Sequence, residues 1–179
     1  QNRRVVAKLQ VNRTLCYVRR NSFTEFPKTE LNFVSIRIAI AQLNPKLGDL
    51  EANLALYEES IRQGIKQDAD ILVFPELSLT GYLLRDMVPG VALTAKSPEV
   101  KKLTALSREL PFVAGLVEES VDHKFFNAAI YFEDGEIRHV HRKVYLPTYG
   151  MFDEQRYFAR GDRVRAFDSK FGRLTLLIC

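Results

Sequence analysis

Three ionisable side chains follow apolar segments that have the character of buried strands. Glu76 comes directly after Ile-Leu-Val-Phe-Pro, Lys143 lies in a strand-like segment that ends at Leu146-Pro147, and Cys179 ends the run Leu-Thr-Leu-Leu-Ile. In sheets that receive helical crossovers, ligands tend to bind at the carboxyl ends of the strands. Side chains that arrive there from three separate strands can therefore converge on one pocket.

The three groups have complementary chemistry. A thiol with an ordinary pKa of about 8.5 is a poor nucleophile until a neighbouring cation or base favours the thiolate. Lys143 can supply that cation or donate to an oxyanion, and Glu76 can take the thiol proton and return it to a departing amine. This set would perform acyl transfer without histidine. Residue types alone equally fit a surface Glu, a surface Lys and a buried Cys, so both interpretations stay open at this point.

The segments that must position these groups begin with a strand and a helix. Ile36–Ala41 is mostly apolar, as in a strand buried on both faces. Asp49 is a suitable N-cap for a helix that runs to about Gln67. Apolar residues at helical spacing predict its buried face, namely Leu50, Leu54, Tyr57, Ile61 and Ile65. A second buried strand is predicted at Ile71–Phe74.

The second half of the chain changes from helix to strands. A helix is predicted from Pro98 to about Leu110, with Val100, Leu103, Leu106 and Leu110 facing inward. Asp134-Gly135 between apolar runs favours a tight hairpin. The predicted strands are Phe112–Val117, Phe125–Phe132, Ile137–Leu146, Val164–Phe167 and Leu174–Cys179. The order indicates an α/β (α+β) fold, a mixed sheet with helices packed on it.

The net charge of +4 is concentrated at the amino-terminal end. Residues 1–35 hold seven Lys and Arg against two Glu, a balance of +5, which leaves −1 for residues 36–179. This distribution argues against a body that binds nucleic acid or a membrane. Residues 1–35 lack a sustained helical or strand period, and three interpretations stay open: a poorly ordered leader, a targeting peptide, or a basic arm for nucleic acid.

The remaining composition excludes several other classes of site. Two cysteines cannot form a disulfide-dense scaffold, and without a CxxC pair a zinc site is not expected. A reducing compartment, and thus a cytoplasmic location, is the natural expectation. His139 and His141 can share one strand face, but no third ligand has suitable spacing, so we expect no metal. The nine glycines form no phosphate-binding loop, and no cofactor is expected.

The sequence motifs around the three reactive residues resemble those of the carbon–nitrogen hydrolase (nitrilase) superfamily. They are Phe74-Pro75-Glu76-Leu77 with Thr80-Gly81-Tyr82, His141-Arg142-Lys143-Val144-Tyr145-Leu146-Pro147, and Leu176-Leu177-Ile178-Cys179. The resemblance covers residues 36–179. It implies a four-layer α-β-β-α sandwich and a Glu-Lys-Cys triad at Glu76, Lys143 and Cys179. It also implies that Glu154, in Phe152-Asp153-Glu154-Gln155-Arg156, positions the lysine and the substrate.

Residues 146–158 look most like the glutaminase domains of glutamine-dependent NAD synthetases and their stand-alone relatives. That likeness implies cysteine attack on a small linear amide, release of ammonia and hydrolysis of a thioester. Tyr82, Tyr149 and Phe152 are expected at the substrate pocket, since Tyr82 and Phe152 lie beside the predicted catalytic segments. Ordinary core packing is the alternative for Tyr82 and Phe152. A homo-oligomer is implied for the full-length protein. Because the family's domains continue beyond the cysteine, we expect 36–179 to be the N-terminal part of such a domain, inactive and poorly stable alone. A free-standing amidase, the ammonia-supplying half of a synthetase and a non-catalytic scaffold remain alternatives.

Overall fold

The fold is built on a six-stranded mixed sheet. The computed structural model describes residues 8–16 and 34–179. The strands lie side by side in chain order: β1 (Lys8–Cys16), β2 (Val34–Gln42), β3 (Ile71–Val73), β4 (Phe112–Glu119), β5 (Phe125–Glu133) and β6 (Glu136–Arg142). A separate two-stranded sheet contains β7 (Ala166–Ser169) and β8 (Gly172–Thr175).

Helices cover one face of the large sheet. They are α1 (Leu50–Lys66) and α3 (Pro98–Leu106), with the short α2 (Val88–Val91) and α4 (Glu154–Tyr157) near one end of the sheet. Helix α1 begins as predicted, because the Asp49 side chain accepts a hydrogen bond from the Ala52 N–H. Tyr57 and Ile61 of α1 pack with Leu72 and Phe112 of the sheet in the main core. This burial is what holds the helix layer on the sheet.

The opposite face of the large sheet is covered by β7 and β8. Phe167, Leu174 and Ile178 pack there against residues of the sheet such as Val113 and Tyr131. Helices, large sheet and small sheet form three successive layers, which match the first three of the predicted α-β-β-α sandwich. In the part of the chain that the structure describes, no helix is both long and apolar enough to cross a membrane.

Strand direction brings the candidate site residues to one edge. Strands β2, β3 and β4 are parallel, whereas β5 is antiparallel to β4 and β6 is antiparallel to β5. Strand β6 therefore runs in the same direction as β3. Glu76 follows the carboxyl end of β3, and Lys143 follows the carboxyl end of β6. Asn127, near the start of β5, lies at the same edge.

The pairing of β5 with β6 contains a bulge. Phe132 is opposite Ile137, but Tyr131 is opposite His139, so that Arg138 is an extra residue in β6. The register beyond the bulge continues to Ala128 opposite Arg142.

Several predicted element boundaries were wrong. The strand predicted to reach Leu146 ends at Arg142, and the strand predicted for Leu174–Cys179 is β8, which ends at Thr175. Leu176 and Ile178 keep the inward direction of strand residues with Leu177 exposed between them, but no described strand pairs with them. The second helix ends at Leu106, well before Leu110. Pro111 disfavours helical backbone at the residue before it.

Two further predictions also differ from the structure. Ile65 is exposed, since the buried face of α1 ends with Ile61 and Gly64. Strand β1 was not predicted, because the leader lacks a strand period. Its register with β2 joins Lys8 to Gln42 and Cys16 to Val34. Backbone pairing along the edge of β2 requires no particular side-chain pattern. The rest of the predicted leader, residues 1–7 and 17–33, lies outside the described residues.

Candidate active site

A buried ammonium group lies between two carboxylates at the edge defined above. Lys143 Nζ donates to Glu76 Oε1 at 2.7 Å and to Glu154 Oε1 at 2.9 Å. The Lys143 side chain is only 1% exposed, that of Glu154 is 9% exposed, and that of Glu76 is 25% exposed. A buried charge of this kind is tolerated when it is paired and hydrogen-bonded. Two of the three predicted catalytic residues are thus brought into direct contact.

Glu76 is carried on a tight turn that packs against β4. The ideal Cβ position of Gly115 in β4 lies 2.3 Å from the Pro75 carbonyl oxygen and 2.6 Å from the Leu77 nitrogen. Only glycine leaves room for the turn to come this close. Leu77 has φ of 51°, in the left-handed region, and its carbonyl accepts from Gly81 N–H at 2.7 Å. The turn is thereby fixed relative to the sheet.

Buried hydroxyl groups also anchor this turn. Ser78 Oγ donates to the Pro75 carbonyl at 2.7 Å, and it lies 2.6 Å from the Tyr57 hydroxyl. Burial raises the pKa of Tyr57, against the smaller opposing effect of its hydrogen bond with Ser78. Tyr57 therefore stays neutral and is available as a hydrogen-bond donor to Ser78.

The backbone of Lys143 is held on both sides. Its N–H donates to the Asn127 carbonyl at 2.8 Å, and its carbonyl accepts from Gly161 N–H at 2.8 Å. The ideal Cβ position of Gly161 lies 2.2 Å from the Arg142 carbonyl oxygen, so this approach also requires glycine. Arg142 Nε and Nη2 each donate to Glu118 at 2.7 Å. These contacts fix the end of β6, from which the lysine projects.

Glu154 begins α4 and receives two donors on one oxygen. Tyr82 OH donates to Glu154 Oε1 at 3.0 Å, beside the bond from Lys143. Glu154 Oε2 is buried and has no partner among the described residues. Burial raises the pKa of Tyr82, and its hydrogen bond to the Glu154 carboxylate adds to the effect. The predicted positioning residues Tyr82 and Glu154 are therefore in contact with each other and with the lysine.

The pKa of Lys143 results from opposing effects. Burial alone favours the neutral amine and lowers the pKa. The hydrogen bonds to Glu76 and Glu154 and the charges of these groups outweigh burial, so the pKa lies above its ordinary value. Lys143 is therefore an ammonium ion at neutral pH.

Asn127 belongs to this cluster and was missed by the sequence analysis. Its Nδ2 donates to Glu76 Oε1 at 2.7 Å, and the residue is fully buried. The signal was a polar residue inside the apolar strand Phe-Phe-Asn-Ala-Ala-Ile. A buried amide needs a polar partner, so such a residue in a buried strand indicates a polar site nearby.

A pocket of about 210 Å³ opens beside the Glu154 carboxylate. Tyr82 and Phe152, both predicted to contact substrate, lie in its wall with Glu154. Tyr149 is exposed, packs edge-on against Phe152 with ring centroids 6.0 Å apart, and lies outside the set of lining residues. The other residues of the wall are Leu77, Leu83, Leu84, Arg85, Met151, Asp153, Tyr157 and Phe158.

Cys179, the third predicted catalytic residue, is exposed and follows the buried Ile178. Its φ of 54° is in the left-handed region. It lies close enough to Tyr82 to contribute, as the weakest of several causes, to the raised pKa of that tyrosine. It makes no hydrogen bond to Glu76 or Lys143 among the described contacts. The described contacts therefore join Glu76 and Lys143 to each other and leave Cys179 without a direct contact to either.

His139 and His141, which were not expected to bind a metal, pack against other residues. The His139 ring stacks on Phe167 with centroids 4.4 Å apart, and His141 is buried. Burial lowers the pKa of both histidines. Within residues 35–179, whose side chains the structure describes, no group of three or more His, Cys, Asp or Glu is arranged to hold a metal ion.

Residues 37–179 match the model of the carbon-nitrogen hydrolase family. The chain belongs to this family. The family membership predicted from the three motifs is thereby confirmed. Among carbon-nitrogen hydrolase relatives, the glutamine-dependent NAD(+) synthetase of Thermotoga maritima is 38% identical over 130 residues, which are 72% of this chain and 23% of that protein.

Solved structures of the carbon-nitrogen hydrolase family show the same α/β fold. The glutamine-dependent NAD+ synthetase from Acinetobacter baumannii has a TM-score of 0.69 at 33% identity and is matched over 79% of this chain and 27% of its own. A mutant of the amidase from Nesterenkonia sp. AN1, with the acetamide moiety of fluoroacetamide covalently added at the active site cysteine, has a TM-score of 0.69 at 26% identity. That match covers 80% of this chain and 55% of the amidase. The chain thus spans about a quarter of the length of the synthetases and about half that of the amidase.

Proposed function

We propose that this carbon-nitrogen hydrolase cleaves a small linear amide through a cysteine thioester. Glu76 would be the general base, Lys143 the oxyanion stabiliser, and Cys179 the nucleophile. The observation that carries the proposal is the buried Lys143 ammonium held by the carboxylates of Glu76 and Glu154. Packing alone does not account for this group, because burying an ion pair in a core is often no better than apolar residues of equal volume.

The proposed reaction begins with formation of the thioester. The thiol proton of Cys179 passes to Glu76 as Sγ attacks the amide carbonyl carbon, and the carbonyl electron pair moves onto oxygen. The tetrahedral oxyanion accepts a hydrogen bond from Lys143 Nζ. Its electron pair returns to re-form the carbonyl, the C–N bond breaks, and Glu76 gives its proton to the departing nitrogen. Ammonia leaves and the acyl group stays on sulfur.

Water then completes the cycle. Glu76 takes a proton from a water molecule as the water oxygen attacks the thioester carbon, and a second tetrahedral intermediate forms. When this intermediate collapses, the C–S bond breaks, the proton returns to sulfur, and the carboxylic acid is released. Glu76 therefore alternates between base and acid twice in one turnover.

The charge and hydrogen-bonding capacity of Lys143 suit its proposed role. Its raised pKa keeps it positive at neutral pH. An ammonium has three N–H groups, and two of them are directed to Glu76 and Glu154. The third is available for a developing oxyanion. One such donor contributes about 3 kcal/mol to the stabilisation of the transition state.

The side-chain amide of glutamine is the substrate that we propose. Support comes from the likeness to glutamine-dependent NAD(+) synthetases, which exceeds 30% identity in both the sequence and the structural comparison. If glutamine is the substrate, the released ammonia would be consumed in a synthetase reaction. The similarity to the Nesterenkonia amidase supports the second candidate, a free-standing amidase for small aliphatic amides.

The test measures ammonia release by the full-length protein with glutamine, and with acetamide for the second candidate. We expect Cys179→Ala and Glu76→Gln to abolish turnover while Cys16→Ala retains it. Iodoacetamide should label Cys179 faster than Cys16, and Glu76→Gln should slow the labelling of Cys179 only. Equal, slow labelling of both cysteines together with no release from either amide would favour a non-catalytic scaffold and refute the proposal.

A further inference from the structure

Asn127 contacts both members of the buried ion pair. Its side-chain Nδ2 donates to Glu76 Oε1 at 2.7 Å. Its backbone carbonyl accepts from Lys143 N–H at 2.8 Å. The residue lies in β5, the strand between β4 and β6, and it is fully buried. One rigid residue therefore holds the side chain of the glutamate and the main chain of the lysine.

The contact with Asn127 divides the two oxygens of the Glu76 carboxylate into different roles. Oε1 accepts from both Asn127 and Lys143, each at 2.7 Å. No described residue donates to Oε2, and the Glu76 side chain is a quarter exposed at this edge. Two donors on one oxygen fix the plane of the carboxylate. With Lys143 as the single anchor, the carboxylate could rotate about its terminal bond and present either oxygen, since that torsion is soft.

The orientation of the Asn127 amide follows from the same contact. A flipped amide would place Oδ1 against Glu76 Oε1, with no proton between two acceptors. In the observed orientation, Oδ1 is buried and has no partner among the described residues. Buried polar atoms are normally paired, so an unpaired one is an unfavourable feature that packing alone does not explain. The side chain is thus oriented toward Glu76 at the expense of its own oxygen.

We propose that Asn127 is a positioning residue that reserves Oε2 of Glu76 for proton exchange with the reacting groups. This inference rests on the proposed function, in which Glu76 is the general base. Asn127 itself touches no reacting atom. Its side chain orients the base, and its backbone places Lys143 in register with that base.

The experiment uses Asn127→Leu and Asn127→Asp in the full-length protein, with glutamine hydrolysis followed by ammonia release. A hydrogen bond to a charged group supports an effect of about 10- to 100-fold. We expect Asn127→Leu to lose that factor in kcat while KM changes little. Asn127→Asp should lose at least as much at about pH 8, where two carboxylates would repel each other. As the pH falls, the carboxyl group introduced by Asn127→Asp would become protonated and donate its O–H to Glu76, and the activity relative to wild type should rise.

The matched control is Asn53→Asp. Asn53 is equally buried, and its Nδ2 donates to the carbonyls of Lys46 and Leu79 at 2.8 and 2.9 Å, away from the ion pair. This variant should lose stability, but its activity per folded molecule should show no relative gain at low pH.

Two results would overturn the positioning role alone. One is wild-type kcat and pH profile in Asn127→Leu, and the other is an equal low-pH gain in Asn53→Asp. A wild-type protein that hydrolyses no amide would instead refute the proposed function, and this inference with it.

Discussion

Replacing Lys143 with methionine tests how strongly the buried ion pair shapes this region. The change keeps a long side chain but leaves the carboxylates of Glu76 and Glu154, which now share one site, without their common cation. Removing one partner from a buried pair costs about 3–5 kcal/mol. Because Glu76 is a quarter exposed, we take the lower end, about 3 kcal/mol of unfolding free energy at pH 7. In urea this corresponds to a midpoint lower by about 1–3 M.

The pH dependence of this loss has a definite sign. The pKa of Lys143 is raised by folding, so its contribution to stability is fully present below the unfolded pKa of about 10.4 and is lost as the pH rises through the folded value. The wild type therefore has the whole contribution at pH 7. In Lys143→Met, protonation of one carboxylate at low pH removes the repulsion. The difference in unfolding free energy between the wild type and Lys143→Met should therefore become smaller as the pH falls from about 8 to about 4.

The control for this prediction is an exposed ion pair. Arg62 Nη2 lies 2.8 Å from Glu59 Oε2, and the two side chains are 58% and 44% exposed. Arg62→Met should change the free energy of unfolding by no more than about 0.5 kcal/mol. A difference below about 1 kcal/mol for Lys143→Met, or one that is constant with pH, would show that the carboxylates do not depend on the lysine.

Two further substitutions address the elements around the ion pair. Gly115→Ala places a methyl group against the backbone of the Glu76 turn, and we expect it to lower the free energy of unfolding by about 1–3 kcal/mol and to reduce amide hydrolysis. The control, Gly90→Ala, should be tolerated because nothing lies within 4 Å of the added carbon. Equal urea midpoints for the two variants would contradict the close approach of the turn to Gly115. Tyr82→Phe removes the donor to Glu154, and kcat/KM should fall about 10-fold. Because the pKa of Tyr82 is raised, ionisation of this tyrosine should not limit the rate between about pH 7 and pH 10. If the wild type lost activity in that range and Tyr82→Phe did not, the role of Tyr82 as a neutral hydrogen-bond donor to Glu154 would be refuted.

The sequence was sufficient to predict the helices and strands whose apolar residues recur at a regular spacing. Helix α1 and strands β4 and β5 carry regular apolar residues, and Asp49 supplies the cap, so local chemistry decides them. Strand ends depend on partners that the pattern does not reveal. Leu176 and Ile178 alternate as strand residues do, yet assignment as a strand also requires a hydrogen-bonded neighbour.

The candidate site was only partly accessible from the sequence. Glu76 could be nominated because it follows an apolar strand, and Lys143 because it lies in a strand-like segment; the strand directions explain why they meet. The role of Glu154 came from the family resemblance, since nothing in a short helix after a loop indicates contact with a lysine eleven residues earlier. Asn127 was overlooked because a side chain that bonds to Glu76, 51 positions away, leaves no local periodicity.

The bulge at Arg138 decides which residue at the carboxyl end of β6 reaches the site. Since Tyr131 pairs with His139, the ladder brings Lys143 opposite Asn127. If Arg138 itself paired with Tyr131, every later residue would move by one place, and an arginine would stand where the ammonium now lies. Loss of the bulged residue would leave the ammonium in place, and loss of one residue nearer to Lys143 would be compensated if Arg138 then paired with Tyr131. The bulge therefore allows this hairpin to lose one residue between Arg138 and Lys143 with the ion pair still assembled.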